Sequence, residues 1–411
     1  MKTNIECQKG FSGRNAAIDM LRGLTVLIMI FVNSFWKVEG VPHWLEHAAW
    51  GEDFMGLADI VFPCFLFAVG MSIPYAIERR SAKGYSDAST LLHILTRSFA
   101  LLVMGAFLGN SEGWISEDAP YSMGTYWLLM FVGFIGVWNQ YPRTDVRWQR
   151  HLFTGFKTAG AAILIYLMLT FRNGEGNVFG FRTSILGLIA WAYLICAVTY
   201  LIVRDRPVRL LAVWAVFIAI NILTSPLNEA YGSRPILDFP DGNFLGAFLW
   251  NIHVGNGGLC AMTMGGVVLS VMSVRFCNVG ESKKLLASLG LAAVFVVAGI
   301  AAHHFYIVSK IAATLPWVCF ATAIATGLYG LFSWLASHGC SAWFRIIKPA
   351  GTATLTAYII PYVLYGIDNL TGINIDFFKE GVTGLLNCAF FSLLCIWITG
   401  LFELLRIKLK I

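Results

Sequence analysis

Long apolar runs separated by short polar segments constrain this chain more than any other feature. Twelve can be read, at roughly 16–36, 57–77, 91–109, 121–139, 152–170, 184–203, 208–223, 244–272, 285–307, 311–336, 350–366 and 383–406. Most approach the ~20 residues that a helix rising 1.5 Å per residue needs to cross about 30 Å of hydrocarbon. Transmembrane strands would alternate apolar and polar residues in shorter segments, and these runs do not. Only 13% of the residues are charged, against roughly a quarter in soluble domains, and 57% are hydrophobic. The expected fold is all-α, a polytopic transmembrane helix bundle of about 10–12 spans. Those spans use up the 411 residues and leave no room for a sizeable soluble domain. No internal repeat, heptad array or flexible linker divides the chain, so a single transmembrane domain over 1–411 is expected.

Lysine and arginine set the expected orientation. With the N-terminus inside, twenty of the 29 fall in inner segments: Lys2, Lys9, Arg14, Arg79, Arg80, Lys83, Arg143, Arg147, Arg150, Arg204, Arg206, Arg209, Arg275, Lys283, Lys284, Arg345, Lys348, Arg406, Lys408 and Lys410. Outer segments hold only Lys37, Arg172, Arg182, Arg234, Lys310 and Lys379. Both termini are therefore expected to be cytoplasmic. The net charge of +6 is a topology signal and implies no nucleic-acid partner. None of the nine cysteines falls in an outer segment, so no disulfide framework is expected, and no Cys/His cluster points to a metal. The first run follows basic residues as a signal peptide would, but it contains Asp19 and Arg22 and lacks a small-x-small cleavage site. It is expected to remain as the first span.

Between the first two runs lies "NSFWKVEGVPHWLEHAAWGEDFMGLADIVFP", with two histidines, several acids and three tryptophans. An unpaired charge in hydrocarbon costs several kcal/mol, so ionisable residues at such a place need a reason. His47, with an ordinary pKa near 6.5, is the acid–base candidate, and Asp59 or Glu46 is positioned to orient it. Asn33 lies about 16 Å beyond Arg22 along a helix, near its outer end. Asp59 lies near the outer start of the second run, so Asn33 and Asp59 are expected at similar depth. Trp36, Trp44 and Trp50 are either interfacial anchors or a platform for a sugar ring. Outer segments also hold most of the acids, which either solvate the loops or attract a cationic ligand.

At the inner end of the first run, "AIDMLRGL" places Asp19 and Arg22 on one helix face at i and i+3. They form either a structural ion pair or a site where Arg22 meets a phosphate or carboxylate. Arg97 and Lys157 lie about six residues into their runs and can snorkel. Asn251, His253 and Asn256 in "WNIHVGNGG" read first as helix–helix hydrogen-bonding residues, and second as the lining of a ligand path. His303, His304 and Lys310 in "HHFYIVSK" read mainly as an interfacial turn. No Walker, GxGxxG, HExxH or GxSxG motif stands in a supporting context, which argues against an ATP-driven pump or a familiar serine hydrolase.

Taken together, "IDMLRGLTVLIMIFVN", "HAAW" and "LADIVFPCFLFAVGMSIP" resemble the catalytic membrane domain of heparan-α-glucosaminide N-acetyltransferases and their bacterial relatives. The shared pattern is a D-x-x-R-G helix ending in Asn, an H-A-x-W loop, and a D-x-V-F-P helix start. "FPDGNFLGAF" and "SKIAATLPWVCFATAIATGLYGLFSWL" extend the similarity to the later part of the chain. The family's G-V-L-Q-R-I segment is replaced here by "YSMGTYWLLMFVGFIGV", and the luminal domain of the animal enzyme has no counterpart.

The resemblance implies a transferase of a bacterial inner membrane that uses acetyl-CoA as co-substrate on the cytosolic side. The acetyl group would pass to the amine (or hydroxyl) of an extracytoplasmic amino sugar or glycan, and a homodimer is implied by the family. Carried onto this sequence, His47 is the general base or transient acetyl carrier and Asn33 its partner. Asp59 is the aspartate at the helix start. Asp19 and Arg22, with Arg97, fall to the acetyl-CoA end. A sugar permease, or a transport-associated protein without acyl transfer, is the alternative that the same polar residues allow; a structural partner in envelope-glycan assembly is a third.

Overall fold

The computed structural model describes residues 11, 13, 15–180, 184–237, 246, 256–373 and 379–411. Asn251, His253 and the stretch Pro240, Asp241 and Gly242 lie outside the described residues. Helices occupy Ala16–Asn33 (α1), Leu57–Ala82 (α2), Asp87–Asn110 (α3), Met123–Trp138 (α4) and Arg147–Thr170 (α5). They continue with Ile185–Val203 (α6), Pro207–Thr224 (α7), Gly258–Arg275 (α8), Glu281–His303 (α9) and Leu315–Ser337 (α10). Phe344–Thr352 (α11), Thr354–Thr371 (α12) and Gly381–Leu404 (α13) complete the series among the described residues. Each of the twelve apolar runs carries at least one of these helices.

Among the described residues ten helices are long and apolar enough to cross a membrane, and the protein is a polytopic helical bundle. α4, at 16 residues, is shorter. The run at 350–366, read as one span, is instead the pair α11 and α12, bent by 94°. The break falls at Ala353, whose φ of −121° and ψ of 46° leave the helical region. Hydropathy does not report backbone dihedrals, so the sequence pattern concealed it. The run at 244–272 also divides: Asn256 precedes α8, and Gly257 takes a left-handed φ of 72° before the helix begins.

The described residues fall into two compact units. The first comprises Met1–Thr25, Pro42–Phe99 and Leu188–Arg345. At its centre α2 lies directly against α8. A Cβ added to Gly70 would stand 1.8 Å from the Thr263 carbonyl, and one added to Gly266 would stand 2.1 Å from that of Phe67. Lipid is as apolar as leucine, so burial gains little within a bilayer and such close approach of backbones supplies the association. Cys260, Met264 and Val267 of α8 are buried in one cluster with Tyr193, Cys196 and Tyr200 of α6, and Met71 of α2 is buried in another with Tyr329 of α10. α9 leaves Leu286, Val294, Val297 and Ile300 exposed, as a helix facing lipid would.

The second unit comprises Val26–Val41, Ala100–Gly187 and Ile346–Ile411. Tyr126 and Phe134 of α4 are fully buried there, and the Tyr126 hydroxyl donates to the Phe107 carbonyl at 2.9 Å. After α1, Trp36 packs edge-on against Tyr365 of α12, and Lys37 pairs with Asp368 at 3.3 Å.

Candidate functional site

α2 begins at a point fixed by Asp59, its third residue. The Asp59 amide donates to the Gly56 carbonyl at 3.1 Å, and the Gly56 amide donates back to Asp59 Oδ2 at 3.2 Å. This reciprocal cap satisfies donors that a helix start leaves free, and the helix dipole favours a carboxylate there. The Ala48 amide donates to the same Oδ2 at 3.0 Å, drawing the preceding loop onto the helix end. Gly56 makes the approach possible, since a Cβ at that position would stand 2.0 Å from the Glu46 carbonyl. The second carboxylate oxygen, Oδ1, lies 2.8 Å from His47 Nδ1. Asp59 is 1% exposed and His47 is 47% exposed, so a buried acid holds an imidazole at the surface of the first unit.

The segment joining α9 to α10 brings a third group to the same place. Lys310 Nζ lies 3.0 Å from His47 Nδ1 and 3.6 Å from Asp59 Oδ1. Asp53 anchors that segment: Oδ1 accepts from the Val308 amide and Oδ2 meets His303 Nε2, each at 2.7 Å. The Phe54 amide adds a bond to the Val308 carbonyl at 3.2 Å. Below, two buried asparagines secure the turn that follows Lys310. Asn221 Nδ2 donates to the Ala313 carbonyl at 2.9 Å, and Asn256 Nδ2 donates to that of Ala312 at 3.2 Å. Asn221 also donates to Asn256 Oδ1 at 2.8 Å, so the pair acts as one clamp. Asn256 thus joins a turn to α7, which corrects its reading as a helix–helix contact inside a span.

The charges at this site oppose one another. Burial holds the Lys310 ammonium below the usual lysine range, and the neighbouring Asp59 carboxylate offsets part of that effect. His47 Nδ1 has one in-plane position for two neighbours. The 2.8 Å contact to the carboxylate oxygen is a hydrogen bond when Nδ1 carries the ring proton. That tautomer leaves Nε2 with a lone pair, and Nε2 has no hydrogen-bond partner among the described residues. The arrangement can accept a proton from a bound molecule and hold the resulting charge against Asp59.

The other residues singled out in the sequence stand elsewhere. Asn33 is the last residue of α1, exposed, and belongs to the second unit. Asp19 and Arg22 form an i,i+3 ion pair at 3.1 Å nearer the start of α1. Arg97 of α3 lies over the Tyr193 ring, 4.8 Å from its centroid. Trp44 and Trp50, flanking His47, are 63% and 73% exposed. Sequence reasoning underweighted Lys310 and passed over Asp53 as a site residue. The available signal was their company: an acid, a histidine and a lysine in segments that each border an apolar run. Among the described residues, no group of three His, Cys, Asp or Glu side chains is arranged to hold a metal ion.

At the other end of the first unit is a cavity of about 190 Å³. Asn15, Tyr75, Lys284, Ser288, Tyr329 and Ser333 are among its lining residues, so it is rich in hydroxyls with one ammonium. Asn15 donates to the Tyr75 hydroxyl at 3.0 Å.

Comparisons with known proteins find a matching family model and two partial relatives. Residues 14–235 match the family model described as "Domain of unknown function (DUF5009)", more than half of the chain. The chain is 32% identical to mouse (Mus musculus) heparan-alpha-glucosaminide N-acetyltransferase over 106 residues, 26% of this chain and 15% of that protein. It is 34% identical to the human (Homo sapiens) protein of that name over 98 residues, 24% of this chain and 14% of the relative. The matched stretch thus spans about 15% of these relatives' length.

Proposed function

The chain belongs to the DUF5009 family, and on that premise we propose that it is a transmembrane acetyltransferase, carrying an acetyl group from cytosolic acetyl-CoA to an extracytoplasmic amino sugar or glycan. One observation carries the reading. His47 is held at a helix mouth by the buried Asp59, with Nε2 turned away from both polar neighbours. The partial similarity to two N-acetyltransferases supports the same chemistry.

In this mechanism His47 Nε2 removes a proton from the acceptor amine as it attacks the thioester carbonyl. Asp59 orients the ring with Nδ1 protonated before transfer and stabilises the positive charge that then arrives at the site, as the aspartate of a serine hydrolase triad does for its histidine. Asn33 takes the part of donor to the oxyanion on the strength of the sequence pattern, since a neutral amide donates well to developing negative charge. Acetyl-CoA supplies the activated acyl group. The hydroxyls and Lys284 of the cavity near Asn15 fit the phosphate end of such a molecule, and Arg22 and Arg97 add positive charge in α1 and α3. The bias of Lys and Arg toward that end supports placing it, with both termini, on the cytoplasmic side of a bacterial inner membrane.

The test is acetyl-CoA consumption by purified protein offered glucosamine-type acceptors, wild type beside His47→Ala. Loss of turnover in the variant, with acetyl-CoA still protecting it against thermal unfolding, is the expected result. Equal turnover in both removes His47 from the mechanism. Absence of both turnover and acetyl-CoA binding moves the reading to transport.

A further inference from the structure

Making an amide from an ammonium takes away two of its three nitrogen-bound protons. One ends on the sulfur of the departing thiol, and the other is surplus. A single imidazole nitrogen holds one at a time. We propose that Lys310 Nζ, 3.0 Å from His47 Nδ1, receives the surplus proton through the ring, so that acceptor ammonium, His47 and Lys310 form a proton relay. Lys310 is on this account a positioning residue that acts through His47, and the inference rests on the acetyltransfer reading above.

The geometry at Nδ1 is the argument. Oδ1 of Asp59 at 2.8 Å calls for a proton on Nδ1, whereas an ammonium at 3.0 Å brings its own proton to the same nitrogen. The contacts are compatible in two states. In one, a neutral Lys310 and Asp59 share the Nδ1 proton. In the other, an ammonium bridges Oδ1 and a bare Nδ1, with the ring proton on Nε2. These states differ by the position of one proton, and the contact set serves both. Burial of Lys310 brings its neutral form within reach, and its side chain keeps 18% exposure, a way out to water. The other titratable groups on the packed segments are engaged elsewhere or solvated. Asp53 meets His303 and Glu52 meets His43, while Glu46 and His304 are exposed.

The steps balance. Nε2 takes one proton from the ammonium while the Nδ1 proton passes to Nζ. The amine lone pair then forms the C–N bond, and the C–S bond pair leaves on sulfur. Nε2 protonates the sulfur as Nζ returns its proton to Nδ1. The bare Nε2 takes the second proton from the new amide nitrogen, and Nδ1 again passes its own to Nζ. Lys310 releases that proton to water, and exchange with water restores the starting tautomer.

Two measurements on the full chain in detergent test this. The first is ¹⁵N-histidine NMR across a pH titration, which needs no turnover. The wild type is expected to convert His47 from the Nε2–H to the Nδ1–H tautomer as Lys310 loses its proton, while Lys310→Met holds Nδ1–H throughout. One unchanging tautomer in the wild type overturns the relay. The second compares glucosamine with an aromatic amine that is already unprotonated at neutral pH and brings no surplus proton. Lys310→Met is expected to lose at least tenfold more turnover with glucosamine than with the aromatic amine. Equal losses assign Lys310 a merely structural role and overturn the proposal. Lys310→Gln, which keeps hydrogen bonding but holds no proton, repeats both tests should the Met variant fold poorly. A wild type inactive on every acceptor sinks the acetyltransfer reading, and the NMR result still decides whether the exchange between Lys310 and His47 exists.

Discussion

Trp317 supplies Asp59 with the hydrogen bond that Pro63 withholds. In a regular helix the Asp59 carbonyl would accept from the amide four residues on, but that residue is proline and has no N–H. The fully buried Trp317 donates its indole Nε1 to that carbonyl from α10, at 3.1 Å. The aspartate, the proline and the distant tryptophan therefore form one structural unit at the base of the site. Trp317→Phe should leave the carbonyl buried without its donor and destabilise the protein by about 1–3 kcal/mol. Pro63→Ala restores an N–H at the right place. A double-mutant cycle in thermal or denaturant unfolding should then show the two changes costing less together than the sum of each alone. Strict additivity would contradict the account.

Gly56→Ala tests the seat of the His47 loop. The new Cβ would fall 2.0 Å from the Glu46 carbonyl, which is backbone and cannot rotate away. We expect a loss of roughly 1–3 kcal/mol from the forced shift. The loss of turnover should exceed what the unfolded fraction explains, because the segment displaced is the one that carries His47. Thermal midpoints measured beside kcat on the same preparation separate the two effects.

Asp59→Asn tests the tautomer. The amide can keep its oxygen on the Ala48 and Gly56 amides, but it then turns an NH₂ toward His47 Nδ1. The ring is forced to carry its proton on Nε2, where the base should be. In the comparable histidine–aspartate arrangement this change lowers kcat by about 10⁴-fold with the geometry intact. We expect a fall of kcat of that kind with acetyl-CoA binding retained. Retained kcat would mean that Asp59 serves only as a helix cap.

Much of this was legible in the sequence because membrane helices announce themselves by length and apolarity, and because Asp59 and His47 sit in one short stretch around a helix start. What stayed hidden depends on contacts distant in sequence or on backbone dihedrals. Lys310 is 263 residues from His47, and its segment looks like a surface turn until Asp53, Asn221 and Asn256 are seen to fix it. The bend at Ala353 left no trace in hydropathy. Asn256 read as part of a span because the apolar run continued through it, although α8 begins only at Gly258.

Asp53 should matter for activity although it touches neither His47 nor Lys310 by hydrogen bond. Its two oxygens hold the Val308 amide and His303. Asp53→Asn can still accept from the Val308 amide, whereas Asp53→Ala leaves that amide without its partner. Turnover should therefore fall in the order wild type, Asn, Ala, with the Ala variant down by about tenfold for 1.4 kcal/mol of lost positioning. Steady-state kinetics on the three proteins checks the order; an Ala variant as active as wild type would show that the Lys310 segment holds itself in place.

Lys310 also ties stability to pH, with a definite sign. Burial lowers its pKa in the folded protein below the roughly 10.4 of an unfolded lysine. Between those two values the unfolded chain binds more protons at this position than the folded one. Stability contributed by this group therefore rises with pH across that window and is lost as pH falls through the folded value. Below both values the slope vanishes and the cost of burying the ammonium against Asp59 remains. Lys310→Met removes the titration, so the difference in unfolding midpoint between variant and wild type should shift in favour of the wild type as pH is raised toward about 10. Midpoints followed from neutral pH upward measure this directly. A difference that stays flat would mean that Lys310 keeps an ordinary affinity for its proton, and that the ammonium at His47 is paired too well to be released.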